Sequence, residues 1–194
     1  PIMSVQPLPM KMGYGLALSW AIGKGEKTFA GFLGVGSARS AAEVRTAVLN
    51  IESIYLNFIY GDAGSIGWQV SGSYPLRKKG TGQLPSPGWT GEYDWTGFLP
   101  ADLNPHAENP ASGFLCTANN RTVDKSYPYH LTSSWERPER SERIQQVLAP
   151  MKGATADDML RLQFDRYSLF AKKTQDMLFS GESSRKVRNV IKGW

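Results

Sequence analysis

The stretch from Gly88 to Thr122 most constrains what this chain can fold into, because it is dense in Gly, Pro, Trp and Asn and carries almost no helix-period apolar pattern. Turn-forming residues fix the backbone direction, and the Trp and Tyr rings supply rigid apolar surface. The Asn119-Asn120 pair sets amide donors just past a short apolar run. Such a segment reads as a shaped wall that suits a substrate cleft, not as a core helix. Regular structure is predicted to fade from Leu76 to Asn109, and a loop this long in a compact domain serves as a lid, a cleft wall or an interface.

Ordinary elements surround that wall. The run Leu16 to Ile22 reads as a mostly buried strand with Trp20 near its end, and Gly31, Gly34 and Gly36 then punctuate the chain as turns. Ser40 and Glu43 have capping-box spacing, which predicts a helix from about Ala41 to Ile51 with Val44, Ala47, Val48 and Ile51 facing inward. Leu56–Tyr60 and Ile66–Ser71 flank Gly61-Asp62-Ala63-Gly64, the pattern of a β-hairpin. Phe114 to Thr117 is expected to return as a short strand. After Pro138 the pattern turns helical: Glu139 to Leu148, a second helix from the Thr155-x-x-Asp158 box to about Leu178, and a third from about Ser183 to Trp194. The fold class expected is α+β, with a strand- and loop-rich part over about 14–134 and a helical part over about 135–194.

At 194 residues, with 41% hydrophobic and 20% charged residues, the chain is globular in composition and not a disordered tail. Its net charge of +5 is spread along the sequence. Only Arg77-Lys78-Lys79 and the group Arg185, Lys186, Arg188 and Lys192 look clustered, and no nucleic-acid-reading motif accompanies them, so no nucleic-acid partner is expected. No apolar run of membrane-spanning length is present, and no membrane partner is expected. The single Cys116 cannot form an internal disulfide and reads as a small buried residue. A start at Pro1 suggests a processed or excised piece.

Several motifs have bland readings. His106 and His130 fall in expected loops, and without a GxSxG elbow nothing supports a Ser-His-Asp triad. Gly34-Val35-Gly36 lacks the third glycine of a dinucleotide fingerprint and reads as a turn. Asp157-Asp158 at a helix start reads as capping, and the sequon Asn120-Arg121-Thr122 as a chance match. Arg137, Arg140 and Arg143 recur every three residues. They are either a face that grips a carboxylate or a backbone oxygen, or a solvated face interleaved with Glu136, Glu139 and Glu142.

A longer set of motifs carries a resemblance. Tyr60-Gly61-Asp62-Ala63-Gly64-Ser65-Ile66-Gly67, Gly72-Ser73-Tyr74-Pro75, Leu84-Pro85-Ser86-Pro87-Gly88-Trp89, Tyr93 to Pro100, Asn104-Pro105, Asn109-Pro110, Ser112-Gly113-Phe114 and Asn119-Asn120 resemble the β-chain of the penicillin acylase (penicillin amidase) family. That group includes penicillin, cephalosporin and acyl-homoserine-lactone acylases, and the resemblance runs from about Tyr14 to the end. It implies an N-terminal-nucleophile hydrolase with a four-layer αββα fold, whose β-chain begins with a catalytic Ser. Pro1 carries no nucleophile and Ser4 lacks the matching surroundings, so the chain resembles an internal β-chain segment that is inactive alone.

The resemblance implies roles for four residues. Asn119 is similar to the family's oxyanion-hole asparagine, and Arg140 to the arginine that supports the nucleophile and its asparagine neighbour. Trp20 and Leu56 are similar to residues lining the acyl pocket. The implied activity is removal of an acyl side chain from an amide such as a β-lactam antibiotic or an N-acyl-homoserine lactone, in the periplasm or outside the cell. The implied partners are the remainder of the β-chain, the α-chain of the same precursor and a small-molecule amide substrate. Some family members bind calcium, but Leu131 and Gly82 stand here where an aspartate and a proline contact it, so no cofactor is expected. A second reading is a non-catalytic ligand-binding or interaction module that uses the Trp-rich loop.

Overall fold

The computed structural model describes residues 15–179, so the helix expected over Ser183–Trp194, the basic group from Arg185 to Lys192, and Pro1 and Ser4 lie outside the described residues. Two compact units divide the chain: one within Pro1–Leu115 and Val123–Ser134, the other within Cys116–Thr122 and Trp135–Trp194. Helices lie before and after a block of antiparallel strands in the chain, so the class is α+β.

In the first unit, helices α1 (Thr28–Ser37) and α2 (Ala41–Val48) precede a hairpin of β1 (Asn57–Gly61) and β2 (Ile66–Val70). The hairpin forms where Gly61-Asp62-Ala63-Gly64 turns the chain, in the register Phe58 opposite Gln69 and Tyr60 opposite Gly67. Strand β5 (His106–Glu108) pairs with the other edge of β2, giving the order β1-β2-β5. A second sheet joins β3 (Pro75–Arg77) to β4 (Trp95–Phe98). Trp68 and Val70 of β2 form the core with Tyr74 and Leu99, and Leu76, Leu115 and Leu131 pack around them.

One carboxylate joins the hairpin turn to α2. Asp62 Oδ1 accepts from the amides of Gly64 and Ser65 at 2.8 and 2.9 Å, and its Oδ2 accepts from Ala41 N at 2.9 Å. Ala41 opens α2, so the hairpin caps a helix remote in sequence. The expected capping box is half formed. Ser40 accepts from Glu43 N at 3.2 Å, while the Glu43 carboxylate takes the Arg39 amide at 2.7 Å instead of the cap residue's own.

Four expectations are corrected. Leu16–Trp20 is extended chain leading into a 3-10 turn at Ala21–Lys24, because a strand needs a ladder partner and none pairs with this run among the described residues. Gly31, Gly34 and Gly36 lie inside α1 and are not turns. A Cβ on Gly31 would come within 2.7 Å of Ile51 Cγ1 and 3.0 Å of Ala47 O, and one on Gly34 within 3.0 Å of Ala47 Cβ. These two glycines let α1 lie close on α2, a reason of packing that outweighs their poor helix propensity. The stretch from Leu76 to Asn109 holds three short strands, since each finds an edge to pair with. Phe114–Thr117, by contrast, forms no strand.

In the second unit α3 (Glu139–Leu148) matches its expected bounds, and α4 (Ala156–Gln163) opens on the full Thr155–Asp158 capping box. The helix expected to run on to about Leu178 breaks instead. Asp165 accepts from Tyr167 N, Ser168 Oγ accepts from Ala171 N at 3.1 Å, and a separate α5 (Leu169–Phe179) begins. Across the gap Arg143 Nη2 reaches Asp165 Oδ2 at 2.7 Å and lies over the Tyr167 ring, and Lys173 of α5 pairs with Glu142 of α3 at 2.6 Å.

Two predictions follow from these contacts. Gly31→Ala overpacks the α1–α2 contact and costs about 1–3 kcal/mol of the intact protein's stability in denaturant titrations. Gly36→Ala has nothing within 4 Å and is neutral or mildly stabilising. For Asp62, the amides of Ala41 and Gly64 hold its carboxyl below the ordinary 3.8. Its contribution is therefore full above the unfolded value and lost as pH falls through the lowered folded value. The stability gap between wild type and Asp62→Asn narrows on acidification below about pH 4, as denaturation midpoints at successive pH values would read.

Candidate active site

Asn119 and Arg140 meet in the second unit. Arg140 sits in the first turn of α3, and its Nη1 and Nη2 both donate to Asn119 Oδ1 at 3.3 Å. A guanidinium has only donors, so the atom it faces must be the carboxamide oxygen, and the NH2 end is thereby turned away from it. Among the described residues no acceptor takes the Asn119 Nδ2 hydrogens. The pair is an exposed neutral donor held by a cation behind it.

The backbone at Asn119 is left-handed, with φ of 61°. Its neighbours fix that conformation. Glu136 N donates to Asn119 O at 2.9 Å, Asn120 and Glu136 form an isolated parallel bridge, and Asn120 Oδ1 accepts from Ala118 N at 3.1 Å. Ala118 is buried. The sequence reading missed these supporting roles of Asn120 and Glu136. The available signal was the Asn-Asn pair itself, since asparagine tolerates the left-handed region and its short side chain bonds nearby backbone.

The arginine triplet resolves into separate partners. Arg137 donates to the buried Glu139, at 3.1 Å from Nη2, and lies over the Phe170 ring at 4.1 Å. Arg143 grips Asp165 with two nitrogens. Arg140 differs in taking a carboxamide, so the three do not act as one anion-gripping face.

Trp20 and Leu56 lie in the first unit. Trp20 is 59% exposed in the extended run before the 3-10 turn, and Leu56 is 43% exposed. The Leu56 backbone is pinned on both sides, its N to Ser71 Oγ at 3.1 Å and its O to Ser71 N at 3.0 Å. Each presents apolar surface, as the wall of an acyl pocket requires.

Other reactive groups have structural explanations. His130 Nε2 lies 3.3 Å from Ser133 Oγ, but among the described residues no carboxylate hydrogen-bonds its ring, and burial followed by the charge of Arg77 lowers its pKa. His106, expected in a loop, is in β5 with Nδ1 2.9 Å from Asn104 O. Burial raises the Cys116 thiol, the opposite of activation. Asp158 belongs to its capping box. The described residues hold no group of three or more His, Cys, Asp or Glu able to hold a metal ion. A Cβ on Gly82 would lie 3.0 Å from Arg77 Nη2, and Leu131 packs against the core. A hard cation there would meet a like charge and no carboxylate, so these two positions do not fit calcium.

The family model for penicillin amidase matches residues 1–194, and the chain belongs to the penicillin amidase family. It is 42% identical over 187 residues to acyl-homoserine lactone acylase QuiP of Pseudomonas aeruginosa, covering 96% of this chain and 22% of that protein. Penicillin acylase 2 proenzyme of a Pseudomonas species is 36% identical over 132 residues, covering 68% of this chain and 17% of the other. Among solved structures, a thermostable penicillin G acylase from Alcaligenes faecalis gives 26% identity and a TM-score of 0.49, covering 62% of this chain and 22% of that one. The chain spans about a fifth of the length of the curated relatives it matches.

The left-handed backbone gives a stability test apart from chemistry. Asn119→Ala forces a Cβ-bearing residue with no local side-chain bond into that region and costs about 1 kcal/mol. Asn119→Gly, free of that penalty, unfolds close to wild type in thermal melts of the intact protein.

Proposed function

We propose that this chain is a segment of the catalytic β-chain of an amide hydrolase. It removes an acyl side chain from an amide such as an N-acyl-homoserine lactone or a β-lactam antibiotic, within a four-layer αββα N-terminal-nucleophile fold. Family membership and the relatives named acyl-homoserine lactone acylase and penicillin acylase support the reaction class. The observation that carries the reading is the Asn119 carboxamide, held by its oxygen and presenting its amide hydrogens.

In this mechanism an N-terminal serine outside these 194 residues attacks the amide carbonyl carbon, and its own amine takes the hydroxyl proton. As the carbonyl oxygen becomes negative, Asn119 Nδ2 donates to it. Two N–H donors of the single Arg140 guanidinium on Oδ1 draw electron density through the carboxamide and make its N–H groups better donors. Arg140 is thus a positioning residue that also strengthens the donor. The amine product leaves with a proton, and water releases the acyl group as a carboxylic acid. Trp20 and Leu56 line the acyl pocket, no metal takes part, and the protein works in the periplasm or outside the cell, joined by the rest of its β-chain and its α-chain.

Kinetics of the full-length protein test this. Asn119→Gly, chosen to spare the backbone, lowers kcat about 10² to 10³-fold with little change in KM. Arg140→Met lowers kcat in the same direction and by less. An unchanged kcat in Asn119→Gly overturns the assignment and returns the Trp-rich loop to the role of a non-catalytic binding surface.

A further inference from the structure

The first unit contains a pocket of about 390 Å³ that the acylase reading does not use, lined by Arg77, Tyr55, Tyr74, Trp95, Gln83 and His130 among others. Arg77 is the residue that gives it character. It stands opposite Trp95 in the β3–β4 ladder, where the register slips between Leu76 and Arg77. Such an irregularity re-aims the side chain. The guanidinium carbon lies 5.6 Å from the centre of the Trp95 ring, and Nη1 makes a long 3.4 Å bond to Pro75 O.

Arg77 is half-buried and forms no ion pair with a carboxylate among the described residues. The neighbouring acids are engaged elsewhere: Asp94 pairs with Lys78 and Glu92 with Lys79. No aspartate or glutamate lines the pocket among the described residues, and burial, followed by the charge of Arg77, lowers the pKa of His130. Among the described residues only Nη1 of this half-buried guanidinium makes a hydrogen bond, so Nε and Nη2 have donors to offer an anion.

We propose that the Arg77 pocket is a carboxylate-binding site. A carboxylate matches the planar fork of a single guanidinium, whereas a doubly charged phosphate would be left half neutralised. The Trp95 and Tyr74 rings accept a flat apolar body, and Gln83 and the hydroxyl side chains at the rim supply polar contacts. The carboxylate is either that of a small organic acid or that of an acidic side chain from elsewhere in the protein. The site stands independently of Asn119 and Arg140, and its test does not use turnover.

Thermal melts of the full-length protein with benzoate as probe decide the matter, with sodium chloride at matched ionic strength as the reference. If the ligand is a free acid, benzoate raises the melting point of wild type. In Arg77→Gln the concentration needed for the same shift rises tenfold or more, and Arg77→Lys falls between. If the acid is the protein's own, benzoate has no effect on wild type, while Arg77→Gln melts lower than wild type at low salt by a margin that shrinks at high salt. Either result supports the site. Equal melting of wild type, Arg77→Gln and Arg77→Lys at both salt levels, with no response to benzoate, overturns it.

Discussion

The interaction on which the candidate site depends is a cationic fork closed on one carboxamide oxygen. Because Arg140 can only donate, its two contacts at 3.3 Å settle which end of Asn119 is free, and a side chain that rotates readily in solution acquires one orientation. The geometry needs two foundations. Helix α3 carries the guanidinium, and the bridge from Asn120 to Glu136 ties the loop bearing Asn119 to the residues that lead into that helix. Donor and support therefore sit in one unit of the chain.

In the first unit, order comes from close approach and shared acceptors more than from a large core. Helix α1 reaches α2 through Gly31 and Gly34, and Asp62 gathers amides from its own turn and from the start of α2. Buried polar side chains serve the loops: Asn104 Nδ2 reaches the carbonyls of Val70 and Gly72 at 3.2 and 2.9 Å, where the chain leaves β2. Ser71 closes the same corner through Ile54 O at 2.6 Å. These bonds satisfy main-chain groups that short strands leave over.

Local chemistry made much of this readable from sequence. The Thr155–Asp158 box, the hairpin about Asp62 and the bounds of α3 all arise from neighbours within a few residues, and each was legible. What escaped depends on distant partners. The glycines of α1 look like turn formers until Ala47 and Ile51 of the facing segment are known. Strands β3 to β5 are too short to announce themselves, and Leu16–Trp20 looks like a strand although it finds no ladder. At the site, the spacing of Arg137, Arg140 and Arg143 suggested one face, yet their partners, Glu139, Asn119 and Asp165, share no pattern that spacing could reveal. Asn119 and Arg140 became legible through the family resemblance.

The left-handed turn at position 119 also narrows the alphabet of residues that evolution can try there. Glycine, asparagine and aspartate are the ones that enter this conformation readily. Glycine brings no functional group, and an ionised aspartate would offer oxygens with no hydrogen to give. Under the proposed donor role, backbone shape and side-chain chemistry impose two independent filters on one position, and of these three residues asparagine alone passes both.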